Sequence, residues 1–144
     1  MADPIMDRVP PHNHEAEQAV IGAIFLDSST LITASEILRP DDFYRSAHQK
    51  IFETFIRLSD QGKGIDVVTV TEELSSKKEL ENVGGVAYIM ELANAVPTAA
   101  NVGHYAKIVE EKALLRRLIH VATKIVEDGY TREDEVESLL GEAE

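Results

Sequence analysis

The sequence contains no cysteine and no long run of apolar residues. Without cysteine the chain can form no disulfide and can offer no thiolate to a metal, which fits a cytoplasmic protein. No apolar run approaches the roughly 20 residues that a membrane span requires, and the N-terminus lacks the apolar core of a signal peptide. We therefore expect a soluble protein that makes no contact with a membrane.

Basic residues are scarce relative to acidic ones. The 144 residues include 14 Lys and Arg against 26 Asp and Glu, which gives a formal net charge of −12. A protein that neutralises DNA phosphates needs a basic face, and none is visible in this sequence. A helix-turn-helix DNA-binding domain remains an alternative, but it would need a basic recognition helix that we do not find. The charge favours solubility and a basic protein partner, with little direct DNA binding.

The motifs that carry nucleotide or hydrolytic chemistry are also missing. The Gly62-Lys63 pair is followed by Gly64 and lacks the upstream glycine of a phosphate-binding loop. No dinucleotide fingerprint, nucleophile elbow or zinc-protease helix occurs. We therefore predict no catalytic residue and no cofactor for this chain.

The five histidines do not form a convincing site. A metal-carboxylate enzyme is the alternative of another class, since His12 and His14 are followed closely by Glu15 and Glu17. However, a spacing of two residues does not place two side chains on one helix face, so we prefer a simple helix start. The remaining histidines are isolated on predicted helices, and we interpret them as capping or surface residues: His48, His104 and His120.

The apolar periodicity predicts an all-α protein: a small globular bundle of about six helices followed by a protruding helical hairpin. Three parts are expected, namely a flexible arm over residues 1–13, a globular subdomain over 14–97 and the hairpin over 98–144. The pattern is unfinished at Glu144, so we expect the last helix to be truncated. Helix starts are predicted from Asn13 or His14 and from two capping boxes, Ser46 with Gln49 and Thr69 with Glu72. A strand over residues 66–70 is the less favoured alternative to the second box.

The long helix predicted over residues 98–128 changes its apolar face half-way along. Its first half presents Val102, Ala106 and Val109, whereas the stripe of the second half is centred about 180° away. Gly129 is predicted to end this helix, and the short helix after it is too narrow to cover the second stripe. Apolar surface therefore remains for another copy of the chain, with these candidate contacts: Leu115, Leu118, Ile119 and Ala122.

The order of several short motifs resembles the N-terminal domain of the bacterial replicative helicase family DnaB. The motifs that carry the resemblance run from the first helix to the long one: residues 10–23 (PPHNHEAEQAVIGA), Phe43 with His48 and Ile51-Phe52, Ile65-Asp66 with Val68-Thr69-Val70, Gly84-Gly85 with Tyr88, and Thr98-Ala99-Ala100-Asn101 with Tyr105. Each piece is weak alone, but together they cover nearly the whole chain in the family's order.

The resemblance implies a non-catalytic collar domain. In the family, hairpins pair between subunits to build a collar above a hexameric ring, and the collar docks the helicase-binding domain of a DnaG-type primase. A helicase loader is a further candidate partner. The family's ATP- and Mg-dependent motor is a RecA-like domain that this sequence does not contain. The candidate primase contacts under this resemblance are Glu15, Tyr88, Arg116, Ile119 and Ile125.

Overall fold

A computed structural model describes residues 8–143, with side chains described from residue 8 to 138. Its regular structure is entirely helical over that range, so the predicted all-α class is confirmed and the alternative strand over residues 66–70 is wrong. Six α-helices follow one another along the chain: α1 His14–Leu26, α2 Thr30–Ile37, α3 Ser46–Asp60, α4 Val67–Ser76, α5 Gly85–Ala93 and α6 Val102–Ala143. Short 3-10 turns at Pro40–Asp42 and Glu81–Val83 precede α3 and α5.

The chain divides into two compact units, and the division falls inside α6. Residues 11–113 form one unit, which we call the core unit. The rest of α6, residues 114–143, belongs to the other, which we call the C-terminal segment. The first three turns of α6 thus lie in the core unit, although the predicted boundary at residue 98 assigned them to the hairpin.

Helix α1 is the centre of the core unit, because its sequence is apolar on nearly all sides. Val20, Ile21 and Ile24 are fully buried, and the helix packs against α2, α3 and α5. Gly22 lets α5 approach closely, because a Cβ at this position would lie 2.7 Å from the carbonyl oxygen of Leu92. Three phenylalanines on or just before α3 fill the remaining interior: Phe43, Phe52 and Phe55.

The helix starts are set by fewer side chains than predicted. Asn13 caps α1, since its side-chain oxygen accepts from the backbone N–H of Ala16 at 2.9 Å. The capping box of α4 is formed by Asp66 and Thr69, with reciprocal hydrogen bonds of 2.8 and 3.0 Å, so the predicted box of Thr69 with Glu72 is wrong. Extended Asp66 can accept from the first-turn N–H groups, whereas Thr69 already lies inside the helix.

The predicted capping box at the start of α3 is also wrong. The residue before this helix is Arg45, and no side chain caps it. The amide of Gln49 instead donates to the carbonyl oxygen of Phe43 at 2.7 Å. That bond fixes the turn that leads into α3.

The start of the chain is described only in part. Residues 1–7 of the predicted flexible arm lie outside the described residues. Residues 8–13 are not helical, and the His12 ring stacks on Tyr44 with ring centroids 4.2 Å apart. The last residues of the arm thus pack onto the core unit, because an aromatic face at the start of α3 receives them.

Helix α6 confirms the predicted face of its first half and differs from the prediction at Gly129. The residues at helical spacing before residue 114 are buried: Val102, Ala106, Val109 and Ala113. The predicted helix end at Gly129 and the separate short helix after it are wrong for this structure, because one helix runs from Val102 to Ala143. Within it the Thr131 hydroxyl donates to the carbonyl oxygen of Glu127 at 3.1 Å, a bond that continues the helix rather than capping a new one. Among the described residues, no helix is both long enough and apolar enough to cross a membrane.

Candidate protein-binding surfaces

The first candidate surface is the apolar stripe of the C-terminal segment. Leu118 is 64% exposed and Ile125 is 66% exposed. The other large apolar residues of the stripe are exposed as well: Leu114, Leu115, Ile119, Val121 and Val126. Ala122, the small residue among the predicted self-association contacts, is also exposed. Such a row of uncovered side chains on one helix face marks a surface that can associate with another protein.

Helical geometry divides the candidate contacts of this segment. At about 100° per residue, Leu118 and Ala122 lie nearest the centre of the stripe. Leu115 and Ile125 lie about 40° to either side of the centre, and Ile119 lies at one edge. Arg116 lies just beyond the edge that carries Ile119 and is half-buried. The predicted self-association contacts therefore run from the centre of the stripe to the edge at Ile119. Of the predicted primase contacts on this helix, Ile125 lies inside the stripe and Arg116 lies beyond that edge.

The second candidate surface carries the two primase candidates of the core unit. Glu15 is exposed in the first turn of α1, and Tyr88 is half-buried on α5. The two helices pack together, and Gln18 donates its side-chain N–H to the Tyr88 hydroxyl at 3.2 Å. Because Glu15 and Gln18 are three residues apart, their side chains are neighbours on one face of α1. Glu15 and Tyr88 thus belong to the same α1–α5 region.

Beneath that region lies a buried polar network that we did not predict from the sequence. Glu17 is 1% exposed and His48 is 0% exposed. Glu17 Oε1 lies 2.7 Å from Nδ1 of His48, and Nε2 of the same ring lies 2.6 Å from the Tyr88 hydroxyl. With the bond from Gln18, the network forms a closed path from α1 through α3 and α5 back to α1. A fully satisfied network of this kind fixes three helices relative to one another.

The carboxylate of Glu17 is held by backbone donors as well as by His48. The N–H of Tyr44 donates to Oε2 at 2.7 Å, and that of Arg45 donates to Oε1 at 3.4 Å. Burial raises the pKa of Glu17, but the hydrogen bonds from His48 and from these backbone groups outweigh it and bring the pKa below its ordinary value. Glu17 is therefore ionised at neutral pH, although its side chain is almost fully enclosed.

Two further titratable groups border the network. The His14 ring stacks near His48 with ring centroids 5.4 Å apart, and its Nδ1 is buried without a hydrogen-bond partner. Burial, with the nearby positive charge of Arg45, lowers the pKa of His14. Burial raises the pKa of Tyr88. Each shift favours the neutral form of the group, which is the form a poorly hydrated site tolerates best.

The network resembles an acid–base relay in composition but not in access. A catalytic base must reach a proton of the substrate within hydrogen-bond distance. Glu17 and His48 have almost no exposed surface, and their polar atoms are occupied by one another and by Tyr88. Their role is therefore structural: they hold α1, α3 and α5 together.

The prediction that His48 is a capping or surface residue is wrong, whereas the surface assignment of His104 and His120 is confirmed. A signal for both buried residues was present in the sequence. Glu17 precedes Val20 and Ile24 by three and seven residues, and His48 stands in the same relation to Ile51 and Phe55. A polar residue in step with an apolar stripe points inward, so it must find a buried partner. Across the described residues, no three His, Asp or Glu side chains gather in a geometry that would hold a metal ion.

Comparison with known proteins gives a consistent result. The profile of the family described as "DnaB-like helicase N terminal domain" matches residues 9–111. The chain is 60% identical over its whole length to the replicative DNA helicase DnaB of Geobacillus stearothermophilus, and 62% identical to the replicative DNA helicase DnaC of Bacillus subtilis. In both cases it spans 32% of the relative, so the chain covers about a third of the length of the curated relatives it matches.

Solved structures agree with the sequence comparison. The crystal structure of the N-terminal domain of DnaB helicase from Mycobacterium tuberculosis superposes with a TM-score of 0.83 at 45% identity, covering 85% of each chain. A DnaB-like replicative helicase whose structure was described together with its interactions with primase gives a TM-score of 0.71 at 27% identity, covering 89% of this chain and 31% of that one. This chain belongs to the DnaB-like helicase N-terminal domain family.

Proposed function

We propose that this chain is the non-catalytic collar domain of a cytoplasmic hexameric replicative helicase, which assembles subunits and docks primase. The observation that carries the proposal is the exposed apolar stripe of the C-terminal segment, centred on Leu118. Exposure of such a row of leucines and isoleucines to water is unfavourable in a chain that is otherwise strongly charged, with a net charge of −12. Covering the stripe with a second copy removes that cost and builds an assembly contact.

Within this proposal the motor activity belongs to the rest of the helicase. ATP and Mg²⁺ would act in a RecA-like domain that follows the collar, and this chain would neither hydrolyse ATP nor unwind DNA. The absence of a phosphate-binding loop from the sequence supports that division of labour. A helicase loader is a further candidate partner of the assembled collar.

Primase docking is supported by the family relationship and by the position of the candidate contacts. A DnaB-like relative that is 27% identical was described with its interactions with primase. In this chain Glu15 and Tyr88 share the α1–α5 region. Ile119 lies at one edge of the stripe, Arg116 lies beyond that edge and Ile125 lies inside the stripe. The edge with Arg116 remains open when Leu115, Leu118 and Ala122 pair with another copy. One stripe can therefore serve both partners, although Ile119 belongs to both predicted sets.

We also propose that residues 98–144 form a helical hairpin in the assembled collar. Gly129 is the weakest point of the observed continuous helix, because glycine in a helix interior costs about 1 kcal/mol relative to alanine. Spin labels at Arg117 and Glu137, which are 20 residues apart, measure the alternative directly. A continuous helix places them about 30 Å apart, whereas an antiparallel pair brings them well under 20 Å. A distance that stays near 30 Å in the assembly would rule the hairpin out.

Assembly is tested by Leu118→Asp, with His120→Asp as the matched control. The two residues are both exposed on α6, but His120 points away from the stripe by about 180°. We expect Leu118→Asp to abolish association measured by light scattering, since it places an unpaired charge in an apolar contact. His120→Asp should leave association unchanged. Equal behaviour of the two variants would refute the assembly contact.

Docking is tested by titrating the helicase-binding domain of a DnaG-type primase into the chain by calorimetry. We expect the wild-type chain to bind, and we expect alanine variants of Tyr88 and Ile125 to bind at least about tenfold more weakly, as truncation of interface anchors does. Val68→Ala is the control, because Val68 is exposed on α4 and is not among the candidate contacts. Unaltered affinity in the Tyr88 and Ile125 variants would remove these residues from the docking surface.

A further inference from the structure

Tyr88 and Gln18 are the members of the network that are partly exposed. Tyr88 is half-buried, whereas His48 and Glu17 behind it are fully enclosed. The hydroxyl contacts Nε2 of His48 at 2.6 Å and the side-chain N–H of Gln18 at 3.2 Å. The direction of the hydroxyl proton therefore depends on residues that no partner can touch.

The protons of this network can be assigned from the chemistry of its members. An ionised carboxylate only accepts hydrogen bonds, so Glu17 requires the proton of the His48 ring to be on Nδ1. In a neutral imidazole the other nitrogen, Nε2, is then an acceptor. Tyr88 must donate its O–H to that nitrogen, while its oxygen accepts from Gln18. Every buried polar atom of the path is satisfied by this single arrangement.

The alternative assignment places a second proton on His48. Both ring nitrogens would then donate, and the Tyr88 proton would be free to turn toward a partner. Two titratable groups lie next to the His48 ring: Glu17 Oε1 at 2.7 Å from Nδ1 and the His14 ring with its centroid 5.4 Å away. The two assignments give Tyr88 different chemistry at the surface.

We propose that Glu17 and His48 are positioning residues that keep the hydroxyl proton of Tyr88 directed toward Nε2 of His48. The docking surface then offers its partner the aromatic ring of Tyr88 and a hydrogen-bond acceptor, but no hydroxyl donor. The inference rests on the proposed function, in which Tyr88 contacts primase. The phenolic oxygen can accept twice, and Gln18 uses one of these positions. The partner group that meets Tyr88 is then a donor, such as a lysine, an arginine or an amide N–H. A donor of positive charge also complements a chain that carries −12.

Nitrogen NMR of the His48 ring tests the proton assignment without any partner. We expect the ring proton on Nδ1, which faces Glu17, and a bare Nε2, which faces Tyr88. A doubly protonated ring, or a neutral ring protonated on Nε2, would overturn the inference. This measurement does not depend on primase, so it separates an error in the network from an error in the proposed function.

Glu17→Gln tests the consequence for docking. An amide can donate to Nδ1 of His48, which moves the ring proton to Nε2 and turns the Tyr88 proton outward, while the ring and hydroxyl of Tyr88 stay in place. We expect the primase helicase-binding domain to bind this variant about five- to tenfold more weakly, the loss of about one hydrogen bond. Glu53→Gln is the matched control, because Glu53 is an exposed glutamate on α3.

The remaining outcomes are also decisive. Full affinity in a folded Glu17→Gln variant, with the ring proton on Nε2, would show that the direction of the Tyr88 proton does not matter and would overturn the inference. If Glu17→Gln does not fold, Tyr88→Phe takes its place, since it keeps the ring and removes the acceptor. Tyr88→Phe should lose a similar factor, and unchanged binding would again overturn the inference. A wild-type chain that does not bind the primase domain would refute the proposed docking function and this role of Tyr88 with it.

Discussion

The core unit and the C-terminal segment both contain helices with apolar faces, but they differ in whether these faces are covered by the chain itself. In the core unit, α1 buries its apolar residues on nearly all sides and even buries the charge of Glu17. In the C-terminal segment, the same kinds of apolar residues recur at helical spacing but stay exposed. The sequence pattern alone therefore does not distinguish a face that its own chain covers from one that is left for a partner. What distinguishes them is whether another helix of the chain has a complementary face to offer.

The largest expected effect comes from breaking the buried network. Replacing His48 with alanine leaves the carboxylate of Glu17 enclosed without its ring partner, and removing one member of a buried pair costs about 3–5 kcal/mol. Leu118→Ala is the contrasting variant. In the unassociated chain it removes an apolar side chain from an exposed position and should change the free energy of unfolding by no more than about 0.5 kcal/mol. Urea unfolding followed by circular dichroism measures both. Comparable losses would mean that the two regions are not packed as differently as their exposures indicate.

A smaller effect is expected from filling the close approach between α1 and α5. In Gly22→Ala the added methyl group would meet the Leu92 carbonyl oxygen at 2.7 Å and Ala95 Cβ at 3.1 Å, so the helices must separate. Overpacking of this kind costs about 1–3 kcal/mol. Gly129→Ala is the matched control in the C-terminal segment, where nothing lies within 4 Å of the added atom. It should stabilise the observed helix by up to about 1 kcal/mol, measured by helicity and thermal unfolding.

Much of the fold could be predicted because its signals are local. The all-α class, the capping by Asn13 and the buried face of the first half of α6 follow from residues within a few positions of one another. A glycine such as Gly22 permits a close neighbour, but the sequence does not identify the Leu92 carbonyl oxygen as the atom that approaches it. Local spacing predicts an element and its face, but it does not predict the partner.

The failures have the same origin. The predicted capping boxes at Ser46 and Thr69 satisfied the motif, but Gln49 found a better acceptor in Phe43 and Asp66 was better placed for its box. The network of Glu17 and His48 joins residues 31 positions apart, so only their place on apolar stripes could have signalled it. At Gly129 the local signal for a helix end lost to the helical propensity of the surrounding residues in the isolated chain. In each case a competing interaction outweighed the predicted signal, and this interaction is local at Asp66 and Gly129 but tertiary between Glu17 and His48.

The smallest expected effect is the dependence of the core unit on acid. The pKa of His14 is lowered by burial, so folding favours its neutral form, and the stability this gives is lost as the pH falls through the ordinary histidine value of 6.5. Glu17 also binds its proton more weakly when folded, so its contribution is present above its ordinary pKa of 4.5 and is lost as the pH falls through the folded value. We therefore expect the free energy of unfolding to fall in two stages, one below pH 6.5 and one below pH 4.5.

Urea unfolding between pH 3 and pH 8 measures these stages, and two variants assign them. His14→Gln should remove the upper stage while leaving the lower, and Glu17→Gln should remove the lower while leaving the upper. Since both groups lie in the core unit, the pH dependence should persist when the stripe is altered by Leu118→Asp. If Leu118→Asp abolishes either stage, the acid response depends on association between copies, and the separation between a self-sufficient core unit and a partner-dependent C-terminal segment fails.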